Sequence, residues 1–313
     1  MNKYQLSFIT ITTFLFIFFL CIAYSRGKKS SLLIAPHKKI IVCTTTIIAD
    51  AVHAIVGDKA HVITLMGPDI DPHLYKAKEQ DIRTLTTADV LIYNGLHLEG
   101  KMAEIMVAMN RYTPTFAVTE TLSPSVLIKC SDTSDLYDPH IWLNVHLWIQ
   151  CVDHIFTQLC RLHPTHKYYY THNYLLYKKK LEDTHAIITS LIDQIPDHHR
   201  YLITSHNSFS YFAAYGLTAV GVQGINTEIE VGTRDLQLLA AFIVEKKIPA
   251  IFPESSVPPK ALYALQEACA AQGHSVIIGP LLFTDSLGGP NSVANTYENM
   301  MLYNTKAIVQ ALS

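Results

Sequence analysis

Two copies of one tripeptide carry the first chemical signal in this sequence: Asp71-Pro72-His73 and Asp138-Pro139-His140. Proline holds the residue before it in extended conformations and fixes its own φ, so each copy presents an imidazole from a stiffened loop. Ser205-His206 and Thr284-Asp285-Ser286 add an imidazole and a carboxylate just beyond apolar, strand-forming runs. Three neutral imidazoles with one carboxylate suit a four- or five-coordinate divalent transition metal. Histidine is the commonest ligand for such ions, and the chain has 16. Asp71 and Asp138 stand where a carboxylate could support a ligating imidazole from behind.

Other residues with chemical potential fit this picture less directly. His97 lies in a turn, and Glu254 ends a strand, where it could line a cleft or back a ligand. His163, His166, His172 and His185 fall on or beside a long helical stretch and are read as a solvated face, with Lys178–Lys180 on its wet side. His198-His199 reads as a polar turn after Pro196, while Trp142 and Tyr75 are expected to pack against the ligand loops. The six cysteines show no CxxC or other short metal-ligand spacing, so a zinc ribbon or thiol redox site has no support. Most of them read as small buried apolar residues.

The elements that must position these groups alternate. From Ile40 to Val118, β-branched runs (Ile40–Thr46, His61–Met66, Asp89–Tyr93, Thr115–Val118) are separated by helical stretches at Ile47–Val56, Ala77–Thr87 and Lys101–Asn110. Such alternation predicts parallel βαβ units. His163 through Ile195 contains no glycine, and its one proline, Pro164, sits near the start, where helices tolerate it. A helix of about 30 residues runs about 45 Å, enough to cross a two-lobed protein. After Pro196 the alternation resumes, through strands at Tyr201–Thr204, Leu217–Val222, Ala250–Phe252 and Ser275–Ile278. The expected fold is α/β: two βα lobes (38–162 and 196–313) joined by a single long backbone helix (163–195). No tandem repeat is visible. Ligands of open α/β sheets collect at the carboxyl ends of strands, and two candidate segments precede the long helix while two follow it. A metal site in the inter-lobe cleft is the expectation.

The 313 residues are 49% hydrophobic and 16% charged, which supports a packed core and excludes a disordered chain. A net charge of -2 gives no global field for nucleic acid or an anionic membrane surface. Residues 1–25 read as a signal peptide: Lys3, then an apolar stretch, then Ala23 and Ser25 at a spacing that a signal peptidase accepts. An uncleaved anchor is the alternative, because about 18 apolar residues can span a bilayer. Leu20 before Cys21 is larger than the residue a lipid-attachment site normally has.

Taken in order, Val42–Asp50 (VCTTTIIAD), Gly67–His73 (GPDIDPH), Asn94–Gly100 (NGLHLEG), Asp138–Asn144 (DPHIWLN), Thr204–Phe209 (TSHNSF), Pro253–Val257 (PESSV) and Thr284–Gly288 (TDSLG) resemble the zinc/manganese (cluster A-I, TroA-like) substrate-binding proteins of bacterial ABC importers. The resemblance runs from about Ile40 to the C-terminus. It implies two α/β lobes bridged by one long helix, and His73, His140, His206 and Asp285 as ligands of one divalent ion, Zn2+, Mn2+ or Fe2+. His206 stands where many manganese-specific members have Glu, which tilts affinity toward zinc. Thr121–Tyr137 has no histidine, unlike the His-rich acidic loop of many zinc-dedicated members.

The implied role is capture and delivery, without catalysis, by a periplasmic monomer whose partners are an ABC-importer membrane permease and its cytoplasmic ATPase. The rival reading is an exported zinc-dependent hydrolase that uses the same His/Asp site, with Glu254 as general base to a bound water. Catalytic zinc usually keeps three protein ligands and an open position, so four ligands favour transport.

Overall fold

The β-branched runs form two four-stranded parallel sheets in the computed structural model, which describes residues 38–130, 135–228 and 230–313. The first contains β1 (Lys39–Cys43), β2 (Ala60–Thr64), β3 (Val90–Tyr93) and β4 (Thr115–Ala117), in the order β2-β1-β3-β4. The second contains β5 (Tyr201–His206), β6 (Thr218–Gln223), β7 (Ala250–Phe252) and β8 (Ile277–Ile278), in the order β6-β5-β7-β8. Each lobe thus repeats one strand order with no repeat in its sequence. The signal-peptide reading of residues 1–25 lies outside the described residues.

Parallel sheets need cover on both faces, and successive residues of a strand point to opposite faces. Ile41 and Cys43 of β1 join the large core shared between the lobes, while Val42 between them joins a smaller outer core. On β7, Ala250 and Phe252 face the shared core and Ile251 the outer core of the second lobe. Four helices fill the middle: α1 (Thr46–Val56), α4 (Val145–Leu162), α5 (Lys167–Ile192) and α8 (Tyr297–Leu312). Their Val52, Trp148, Leu181, Ile188 and Ile308 belong to one continuous cluster that also takes in Phe209 and Phe212. The outer faces are covered by α2 (Glu79–Thr87) and α3 (Ala103–Met109) on the first lobe, and by α6 (Thr233–Lys246) and α7 (Lys260–Ala271) on the second. Lys39–Ser313 therefore make one compact unit.

The long helix begins later than its sequence suggests. α4 ends at Leu162, a single 3-10 turn spans Pro164–His166, and α5 then runs 26 residues, about 39 Å. Helix α4 was not legible in the sequence, because its buried Leu147, Trp148, Cys151, Val152, Ile155 and Leu159 are interleaved with polar residues. Asn144 caps it, its side-chain oxygen accepting the N–H groups of His146 and Leu147. His163 corrects another expectation: it is buried at the α4–α5 bend, with Nδ1 3.4 Å from the Tyr170 hydroxyl. Lys178 reaches Asp153 of α4 at 3.1 Å rather than standing free in water. The Phe209–Tyr215 segment is a 3-10 helix.

Cys43, Cys151 and Cys269 are buried thiols, and all five described cysteines are unpaired. Among the described residues no helix is long and apolar enough to cross a membrane.

Because α5 packs both lobes, truncating its inner face should destabilise the whole unit. Ile188→Ala should cost about 2–5 kcal/mol of unfolding free energy, whereas Leu176→Ala, at an exposed position, should stay within about 0.5 kcal/mol. Urea titration of the mature chain measures both.

Candidate metal centre

The two Asp-Pro-His tripeptides fold alike around their backbones. Asp71 Oδ1 accepts the His73 backbone N–H at 2.8 Å, and Asp138 Oδ1 accepts that of His140 at 2.9 Å. Each aspartate closes a local turn two residues on, while the proline between stiffens it. Beyond that the copies diverge. Asp138 Oδ1 also lies 2.7 Å from the Nδ1 of His140, whereas Asp71 Oδ2 accepts the Thr227 hydroxyl of the other lobe at 2.6 Å.

The second lobe supplies its imidazole from the end of β5 and its carboxylate from the segment that follows β8. His206 is the last residue of β5, and its Nδ1 lies 2.7 Å from Glu254 Oε2. Glu254 also accepts the His206 backbone N–H, the Ser208 hydroxyl and the Thr284 hydroxyl. Asp285 follows β8, in a segment pinned along its length. Trp142 Nε1 donates to the Thr284 carbonyl at 2.8 Å, the Asp69 N–H to Ser286 Oγ at 2.9 Å, and the Leu287 N–H to Thr46 Oγ1 at 2.7 Å. All three of those partners belong to the first lobe, so both lobes place Asp285.

The structure brings all four sequence-derived candidates together. His73, His140, His206 and Asp285 are buried, each offering one ligand atom, and these atoms lie within 4.8 Å of one another. The His140 Nε2 lies 3.2 Å from the Nε2 of His73 and 3.2 Å from that of His206. Two nitrogens bound tetrahedrally to one zinc ion at about 2.0–2.1 Å stand about 3.3–3.4 Å apart. The imidazoles are thus already at coordination spacing. Asp285 Oδ1 lies 3.4 Å from His140 Nε2, and Oδ2 lies 3.7 Å from His206 Nε2.

Charge follows the carboxylates. Burial disfavours the charged form of His140, but Asp138 and Asp285 beside it overcome that and raise its pKa to about 10. His206 is pulled down by burial and raised overall by Glu254 and Asp285. His73 is lowered to about 3, chiefly by burial, against the attraction of Asp285. Burial pushes the Asp285 carboxyl up, yet the surrounding imidazoles hold it below the ordinary carboxylate range.

Several residues fall outside this cluster. His97 is exposed, in a left-handed turn with φ 63°, and is not among the four convergent ligands. Trp142 packs its ring edge-on to His140, as expected, but Tyr75 donates to Asp81 at the start of α2. The inter-lobe bonds made by Trp142, Asp69 and Thr46 depend on tertiary contact alone and leave no mark in the sequence. Glu254 was legible only as a carboxylate at a strand end.

Residues 41–311 match the family model ZnuA, described as zinc-uptake complex component A, periplasmic. The chain belongs to this family. It is 40% identical over 291 residues to the zinc-binding protein TroA of Treponema pallidum (strain Nichols), covering 93% of each chain. It is 38% identical over 293 residues to the manganese-binding lipoprotein MntA of Bacillus subtilis (strain 168), covering 93% of this chain and 94% of that one. The solved periplasmic zinc-binding protein TroA from Treponema pallidum superposes with a TM-score of 0.86 at 40% identity, over 88% of this chain and 99% of that one.

A cation must displace the proton favoured on His140, whose pKa the carboxylates raise to about 10, and competes with protonation of His206, which is raised too, since only neutral imidazole ligates. Affinity should therefore rise with pH between about 6 and 8, with about one to two protons released per ion. Calorimetric titration in buffers of different ionisation enthalpy counts them. A buffer-independent heat with pH-independent affinity would contradict the charge assignment.

Proposed function

We propose that the chain captures one divalent transition-metal ion in the periplasm, on His73, His140, His206 and Asp285, and hands it to the membrane permease of an ABC importer driven by a cytoplasmic ATPase. One observation carries the ligand assignment: three Nε2 atoms and a carboxylate, drawn from four loops of two lobes, converge in a buried pocket at coordination spacing. The protein acts as a monomer, exported by a cleaved signal at residues 1–25, with lobes at 38–162 and 196–313 bridged by 163–195. The ion is Zn2+, Mn2+ or Fe2+, each of which three imidazoles and one carboxylate can hold.

Capture without catalysis accounts for Glu254. A hydrolase would need it beside a metal-bound water, yet it lies on the Nδ1 side of His206, away from the Nε2 cluster. There it also accepts three other hydrogen bonds. It orients a ligand and is not available as a base. Four ligands close a tetrahedral shell and leave no position for substrate.

Metal titration of the mature protein should give one ion per chain. His140→Ala and Asp285→Ala should abolish stoichiometric binding while leaving the circular dichroism spectrum native. Glu254→Gln should weaken binding by about 10–100-fold. Several equivalent ions per chain, or hydrolytic activity lost in Glu254→Gln, would overturn the reading.

A further inference from the structure

Glu99 is a buried carboxylate that none of the four ligands touches. It is 1% exposed, and three other residues direct donors at it. Its Oε1 accepts the Thr44 hydroxyl at 2.8 Å and the Asn94 backbone N–H, and its Oε2 accepts the Gly95 N–H at 3.2 Å. Thr44 follows β1 and Asn94 follows β3, so the carboxylate ties a turn, residues 94–100, to the ends of two paired strands. The turn has a backbone that side chains rarely adopt. Leu96 and His97 have φ of 53° and 63°, between Gly95 at 86° and Gly100 at 43°. Left-handed residues other than glycine cost about 1–3 kcal/mol each and persist only where their surroundings enforce them.

Both ends of this turn meet ligand loops of the first lobe. At its start, Asn94 Nδ2 donates to the Pro139 carbonyl at 3.1 Å. That carbonyl shares one rigid peptide unit with the His140 N–H, which Asp138 holds from the opposite side. At its end, Gly100 lies so near His73 that a Cβ there would come 2.9 Å from the His73 carbonyl oxygen. The turn thus braces the two Asp-Pro-His loops against each other. The second lobe keeps a carboxylate in the equivalent place: β7 holds the position in its sheet that β3 holds in the first, and Glu254 lies just beyond it. Glu254 meets its imidazole directly, whereas Glu99 acts through a turn.

We propose that Glu99 is a positioning residue for metal capture, which holds His73 and His140 at coordination spacing by fixing the turn at residues 94–100. The proposal rests on the capture reading above and adds a determinant outside the four ligands.

The test compares Glu99→Gln, Asn94→Ala and Gly100→Ala with the wild-type protein, by competition for zinc against a chelator and by NMR of the histidine ring nitrogens. Glu99→Gln keeps the shape of the side chain but replaces one acceptor oxygen with a donor that faces a backbone N–H. It should bind one zinc ion about 10–100-fold more weakly. In its zinc form the ring signals of His73 and His140 should move, and those of His206 should stay. Asn94→Ala should act mainly on His140 and Gly100→Ala mainly on His73, each weakening zinc at least about tenfold. A purely structural role gives a different pattern: a lower urea midpoint in the metal-free protein, with the zinc affinity and ring signals of the folded protein unchanged. That pattern in Glu99→Gln, or wild-type affinity in either of the other two variants, overturns the proposal while leaving capture intact. Asn94→Ala and Gly100→Ala decide the matter if Glu99→Gln does not fold. Capture itself fails by a separate result: no binding by the wild type, or binding that survives Asp285→Ala.

Discussion

The His140 Nε2, 3.2 Å from those of both His73 and His206 and buried beside Asp285, sits in an arrangement that favours positive charge at its centre. Isolated buried carboxylates are expensive, and Asp285 faces this point while Asp138 and Glu254 back two of its imidazoles through Nδ1. Without a metal, the carboxylates push His140 and His206 toward their protonated forms, while burial lowers His73. A divalent cation supplies charge of the same sign at the same point and so restores the electrostatic balance of the site.

That balance is held across a seam that resists opening. The Asp285 segment belongs to the second lobe by sequence, but its neighbours Thr284, Ser286 and Leu287 are bonded to Trp142, Asp69 and Thr46 of the first. Behind the seam, α1, α4, α5 and α8 share one apolar core with both sheets. Wide separation of the lobes would expose that core, so motion confined to the ligand loops is much the cheaper route. In the proposed role, release of the ion then depends on displacing a few pinned loops.

The parts of this design that were legible in the sequence are those with local causes. Strand runs such as Ile40–Thr46 announce themselves by β-branching, and the repeated Asp-Pro-His reports its stiffened loops through proline. The four candidate ligands were legible as motifs: the repeated Asp-Pro-His and the His206 and Asp285 segments beyond apolar runs. What the sequence hid was tertiary. Helix α4 has a buried face interleaved with polar residues, and its role emerges only when α5 packs on it. The divergence of the two tripeptides, one aspartate turned to its own imidazole and the other to Thr227, cannot be read from identical residues. His163 reads as solvated in the sequence because its burial appears only once α5 folds back on α4 at the Pro164–His166 turn and brings Tyr170 against it.

Ligand types alone also leave the choice of metal undecided. Relatives at 40% and 38% identity are named for zinc and for manganese, respectively, so overall similarity does not select the ion. Nor does the count of imidazoles, because a carboxylate offers one oxygen or two without any change of residue. The deciding variable must be how the backing atoms turn each ligand. In this protein the loop that carries Glu254 and Ser256 governs both donors of the second lobe, one through a ring nitrogen and the other through a carboxylate oxygen.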